Sequence, residues 1–149
     1  MENKIVKSVE LATPITRVWE AITDSREIGN WFMVDLEGPF AVGEITRGVI
    51  THPEAAGMVF TAVTTALEKP HRFAFHWPPD EFFVIEDPAA LTGTTLVEFV
   101  LQEIGAGTRL TVTESGLEAL PTDLHAKVLK NNSIGWEEQM ENIRNHLNR

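Results

Sequence analysis

Residues 121–147, PTDLHAKVLKNNSIGWEEQMENIRNHL, read as one long amphipathic helix around which the rest of the chain has to be arranged. Leu124, Val128, Leu129, Trp136, Met140, Ile143 and Leu147 recur at helical spacing. His125, Asn132 and Gln139 fall down the middle of that apolar stripe, with Gly135 beside them. A helix that only sealed a dry core would carry Leu or Ile there, because burying an unpaired polar group is costly. Two readings stand: the three residues find partners in the core, or the helix faces a cavity that holds water or a ligand.

Upstream of this helix the pattern changes period. Lys4 to Leu11 reads as a strand. Thr13-Pro14 then opens a helix as a hydroxyl cap followed by proline at the first helical position. Ile15, Val18, Trp19 and Ile22 give that helix one apolar face. Asp24-Ser25-Arg26-Glu27 has the form of a capping box and starts a second, short helix ending around Gly29-Asn30, which delivers Trp31 and Phe32.

From there the chain reads as strands and turns. Ile45–Thr51, Met58–Leu67, Arg72–Trp77, Thr94–Gln102 and Thr108–Ser115 are rich in Val, Thr, Phe and Ile, and Phe32–Leu36 is a further short candidate. Gly105-Ala106-Gly107 signals a hairpin. Pro78–Gly93 reads as a long loop bracketing the apolar Phe82-Phe83-Val84-Ile85: a lid, a short extra strand or a surface excursion. An antiparallel sheet with one oily face must be covered, and the 121–147 helix is the natural cover.

Composition narrows the partners. With 149 residues, 43% hydrophobic and 23% charged, the expectation is one soluble domain over residues 1–149. Twelve basic against 22 acidic residues leave a net charge of −10, which argues against nucleic acid and against an anionic membrane surface. There is no cysteine, so disulfides and thiolate metal sites are excluded, and the N-terminus lacks a signal-peptide apolar region. A cytoplasmic location is expected. No phosphate loop, HExxH or G-x-S-x-G motif occurs, and the five histidines form no metal-ligand spacing, so no cofactor and no metal are expected.

Specific residues then carry a resemblance. Pro14-x3-Val18-Trp19-x-Ala21-Ile22-Thr23-Asp24 is followed by Trp31-Phe32, Lys69-Pro70-x-Arg72-Phe73-x-Phe75-x-Trp77 and Val97-x-Phe99-x-Leu101. Gly107-Thr108-Arg109-Leu110-Thr111-Val112-Thr113-Glu114-Ser115-Gly116 and Asn132-x2-Gly135-Trp136-x3-Met140-x2-Ile143-x3-Leu147 complete the series. This order resembles the START-like (SRPBCC) superfamily, and more narrowly the bacterial proteins similar to the C-terminal domain of the Hsp90 ATPase activator Aha1. The resemblance implies an α+β helix-grip fold, with a curved antiparallel sheet wrapped around the long C-terminal helix and two short helices after the first strand. It also implies a cavity between sheet and helix for a small hydrophobic molecule. Cyclase- or hydrolase-type catalysis there, or a stress-response or chaperone-associated role with a protein partner, are the alternatives. Where relatives commonly have a Gly-Gly pair, this chain has Val42-Gly43-Glu44.

Within that frame Trp31, Phe75, Trp77, Phe99, Asn132, Trp136 and His125 are the candidate ligand-binding residues, in a cavity of a few hundred Å³. Gly135 is expected to permit close helix–sheet approach or a slight bend. His76 should point away from Phe75 and Trp77, outside the cavity. No catalytic residue is assigned. Glu114 is the weak candidate: it shares a strand face with Leu110 and Val112, and would serve as a general acid or base if buried, or simply reach water at a strand end.

Overall fold

The computed structural model describes residues 1–148. The chain runs through β1 (Lys4–Leu11), α1 (Ile15–Thr23), α2 (Ser25–Phe32), β2 (Val34–Leu36), β3 (Ile45–Ile50), β4 (Val59–Glu68), β5 (Arg72–Trp77), β6 (Thr95–Ile104) and β7 (Gly107–Ser115). A 3₁₀ turn at Leu117–Ala119 leads into α3 (Thr122–Leu147). All strands pair antiparallel in one seven-stranded sheet of order β1-β7-β6-β5-β4-β3-β2. The β1–β7 pairing joins the first strand to the last, from Lys4↔Ser115 to Leu11↔Thr108. The sheet curves around α3, which is the helix-grip arrangement the resemblance implied. Among the described residues no helix is long and apolar enough to cross a membrane.

The short helices depart from their sequence signals at three points. Thr13 does not cap α1: Pro14 occupies the cap position, and its carbonyl accepts from the Arg17 and Val18 N–H groups. Thr13 instead offers its carbonyl to the Thr108 hydroxyl, a contact that needs the sheet to exist. Asp24 does cap α2, accepting from the Arg26 and Glu27 N–H groups. Glu27 does not close the box; it pairs with Arg17 of α1 and His146 of α3, tying three helices together. Burial pushes the Glu27 carboxyl up, but the hydrogen bonds from Arg17 and His146 outweigh it and hold it below the usual range. Finally, α2 runs on past Gly29-Asn30 to Phe32 and stops at Met33, whose φ is 65°. Gly29 is a contact residue rather than a stop: a Cβ there would lie 2.6 Å from the Val34 carbonyl oxygen.

Strand alternation builds the core. Phe73 and Phe75 of β5, Val97, Phe99 and Leu101 of β6, and Leu110 and Val112 of β7 face α3 and are buried with Val128, Trp136, Met140 and Ile143. Each such large side chain contributes roughly 1.5–3 kcal/mol on burial. Glu114 continues the inward row of Leu110 and Val112, and it is fully buried.

The loop at 78–94 is neither a strand nor a lid. It lies over the outer face of the sheet and contributes no residue to the interior. Thr61 and Val63 of β4 and Ala74 and His76 of β5 are the outward members of their strands, because Phe60, Ala62, Phe73 and Phe75 point inward. Thr61, Val63 and Ala74 are nonetheless buried, as is Ile85 of the loop, whose N–H donates to Thr61 Oγ1. Ile85 thus acts as a plug on the outer face, while Phe82 at the loop tip is 84% exposed. His76 anchors the far end of the strap, with Nδ1 3.0 Å from Thr94 Oγ1, and that hydroxyl in turn donates to the Leu91 carbonyl.

Two outcomes follow from the strap. Ile85→Ala should cost about 2–4 kcal/mol locally and make residues 78–94 cleavable by a protease at concentrations that leave the wild type intact; equal cleavage of both proteins would refute the plug. Burial holds the His76 imidazole below its ordinary value of 6.5. The folded chain therefore binds that proton less readily than the unfolded chain. The stability contribution is complete above the unfolded value and is lost as pH falls through the folded one. Urea unfolding at about pH 7.5 and about pH 5 should show a smaller acid-side loss for His76→Gln than for the wild type. An identical loss in both proteins contradicts the assignment.

Candidate functional site

Five side chains from four elements converge on the inner end of β7. Glu114 Oε2 accepts from Trp77 Nε1 at 2.9 Å and from the Thr95 hydroxyl at 2.5 Å. Glu114 Oε1 accepts from Asn132 Nδ2 and Trp136 Nε1, both at 2.9 Å. The division follows from geometry. Trp77 and Thr95 are direct register partners across the β5–β6 pair, so both meet the oxygen nearer the sheet. Asn132 and Trp136 are four apart on α3 and project from one helical face toward the other oxygen. The indole N–H groups can only donate, and an ionised carboxylate accepts at about four lone-pair positions, so the set is filled.

Among the described residues no Lys, Arg or His is paired with this carboxylate; the ion pairs lie elsewhere. Four donors replace its hydration shell. A general acid or base needs a free lone pair or proton within reach of a substrate. Here both oxygens are already doubly engaged, and what the arrangement does is clasp α3 to the sheet.

Directly outside the clasp lies a cleft of about 90 Å³ lined by Phe32, Trp77, Asn132, Gly135, Trp136 and Gln139. Trp77 and Trp136 stack with centroids 5.4 Å apart and planes 28° apart, and Phe32 stands 6.1 and 5.9 Å from them. The volume is well below the few hundred Å³ expected, because aromatic rings fill the space between sheet and helix. Gly135 does not mediate close helix–sheet approach: a Cβ added there would meet nothing within 4 Å.

The polar strip of α3 thus divides into three separate roles. His125 is buried near the helix start and bonds through Nε2 to the Glu2 carbonyl, pinning the N-terminal segment away from the cleft. Asn132 serves the carboxylate. Gln139 donates to the Phe32 carbonyl, at 3.4 Å, and so satisfies the end of α2. Of the sequence candidates, Trp77, Asn132 and Trp136 meet at the cleft. Phe75 and Phe99 lie behind it, with Phe75 5.6 Å from Trp77 and Phe99 5.8 Å from Trp136. Trp31 also lies behind it, 5.8 Å from Phe32, with its N–H given to the Ala21 carbonyl. Phe32, Gly135 and Gln139 complete the cleft and Thr95 the clasp. Thr95 was findable: it shares the inward face with Val97, which pairs with Glu114 across the β6–β7 ladder.

Removing the carboxylate should be severe. Glu114→Ala leaves the buried Thr95 and Trp136 donors unpaired at roughly 1–3 kcal/mol each, and the half-buried Trp77 and Asn132 at less, so chemical denaturation should show a loss of about 2 kcal/mol or more. A loss below about 1 kcal/mol would mean the clasp does not hold helix to sheet.

Known proteins share this architecture at low identity. Protein MLL2253 from Mesorhizobium loti is 23% identical with a TM-score of 0.76, over 98% of this chain and 97% of that one. The Aha1 dimer from Colwellia psychrerythraea is 14% identical with a TM-score of 0.71, over 96% and 94%. DynU16, from the dynemicin biosynthetic locus, is 22% identical with a TM-score of 0.72 over 99% of this chain; the chain spans about half of DynU16, 48%. No curated protein matches the sequence. The model of the family described as "Activator of Hsp90 ATPase homolog 1-like protein" matches residues 12–148, and the chain belongs to that family.

Proposed function

We propose that this protein binds a small, mainly apolar molecule, or the apolar end of a larger one, in the cleft between α2, β5 and α3. Gly135 is the observation that carries this reading. A glycine inside a helix costs about 1 kcal/mol relative to alanine. At most such sites close packing excludes a Cβ, but here a Cβ would meet open space. The cost is offset by no contact within the chain, so the gap itself is what the glycine provides. Around that gap stand apolar walls with two amides at the rim, the usual composition of a ligand site.

A cyclase- or hydrolase-type reaction in the same place would need an uncommitted acid–base group. Glu114, the nearest carboxylate, is consumed by its four donors. Binding without chemistry is the reading this geometry favours.

The test is a thermal-shift series with small aromatic and branched aliphatic compounds on the wild type, Gly135→Ala and Gly135→Leu. Gly135→Ala should be more stable than the wild type by up to about 1 kcal/mol, since it gains helix propensity and meets no clash. Compounds that raise the wild-type melting temperature should have no effect on Gly135→Leu, whose side chain fills the cleft. A panel that shifts neither protein, or shifts both equally, rules the cleft out as the binding site.

A further inference from the structure

The cleft's walls select for charge as well as size; this step rests on the cleft being a binding site. Glu114 is fully buried, and among the described residues no cationic side chain pairs with it. Buried charges are ordinarily paired, because hydrogen bonds spread a charge without cancelling it. Three aromatic rings separate this anion from the cleft or border it: Phe32, Trp77 and Trp136. Both indoles give their N–H to the carboxylate, so their hydrogen-bond donors are turned inward. Donation to an anion also polarises each indole toward greater electron density on its ring.

The remaining polar groups point to the same preference. Asn132 commits its amide nitrogen to Glu114, and Gln139 commits its own to the Phe32 carbonyl. The Gln139 oxygen accepts from Asn142 Nδ2, which leaves the Asn132 oxygen for a visitor, and no Lys, Arg or His lines the cleft. An anionic ligand would find no cationic side chain, only the second amide hydrogens of Asn132 and Gln139, and a buried carboxylate behind the wall. A neutral hydrocarbon would fit but leave that charge uncompensated. An alkylated ammonium group, apolar on its surface and positive within, fits these features best: aromatic walls for cation–π contact, the Asn132 oxygen at the rim and a carboxylate behind.

We propose that the cleft takes a methylated ammonium head group, the cationic end of a small molecule. The protein's net charge of −10 adds a long-range attraction for such a ligand.

The experiment compares choline with 3,3-dimethylbutan-1-ol, which has the same shape without the charge. Titrations are followed by the indole N–H signals of Trp77 and Trp136 in ¹H–¹⁵N spectra. Choline should bind about tenfold more tightly than the alcohol and move both indole signals. Glu114→Gln, checked for folding by circular dichroism, should bring the two ligands to near-equal affinity. Should that variant unfold, Phe32→Leu removes one ring without touching the clasp and should weaken choline several-fold more than the alcohol. Gly135→Leu should bind neither. Equal affinity of the wild type for both ligands overturns the cation preference and leaves the apolar cleft standing. Binding of neither, in a protein whose melting temperature responds to apolar compounds, also overturns it. Binding of neither with no such response removes both readings.

Discussion

A carboxylate kept wholly out of water has to be supplied with hydrogen bonds, and the way this protein supplies them to Glu114 sets the relation between its two layers. Apolar contact between a helix and a sheet is non-directional, so α3 could slide or rotate on an oily face at modest cost. The donors remove that freedom. Trp77 and Thr95 fix the carboxylate to the β5–β6 ladder, while Asn132 and Trp136 fix one turn of α3 to the same two oxygens. The helix can satisfy both bonds only in one register and one rotation.

The cleft follows from that arrangement. Two indoles held by their N–H groups have to turn their rings toward the space beside the helix, where they stack on each other and pack at a tilt against Phe32. Gly135, between Asn132 and Trp136, keeps a side chain out of that space. Gln139 secures the end of α2 one turn further along, which holds Phe32 at the rim. Stability and the candidate binding surface therefore share the same residues. The outer strap is a separate matter, closed by Ile85 on the other face of the sheet.

Much of the fold was legible in single positions. Period-two alternation in Arg72–Trp77 and Thr108–Ser115 named the inward rows, and the spacing of Val128, Trp136, Met140 and Ile143 named the buried face of α3. The strand boundaries moved by only a residue or two. The local signals that failed did so where a distant partner intervened. Thr13 gives its carbonyl to β7 rather than capping α1, and Glu27 turns to Arg17 and His146 rather than back to Asp24. In the strap, Phe82 and Ile85 look equivalent in sequence, yet one is exposed and the other buried, because only one of them lands over Thr61.

The sequence by itself determined the order of elements, the oily face of each and the presence of polar residues where a dry core would not tolerate them. It did so because periodicity, caps and turn residues act over a few positions of chain. Tertiary structure alone decided what those polar residues are for. Asn132 is 18 residues from Glu114, Trp77 is 37, and Gln139 is 107 from Phe32. Which donor meets which acceptor across such separations depends on strand register and helix rotation, and these are set only when the whole sheet has closed around the helix. His125, Asn132 and Gln139 share one stripe in the sequence; folding gave each a different partner, and the gap beside Gly135 is what remained open.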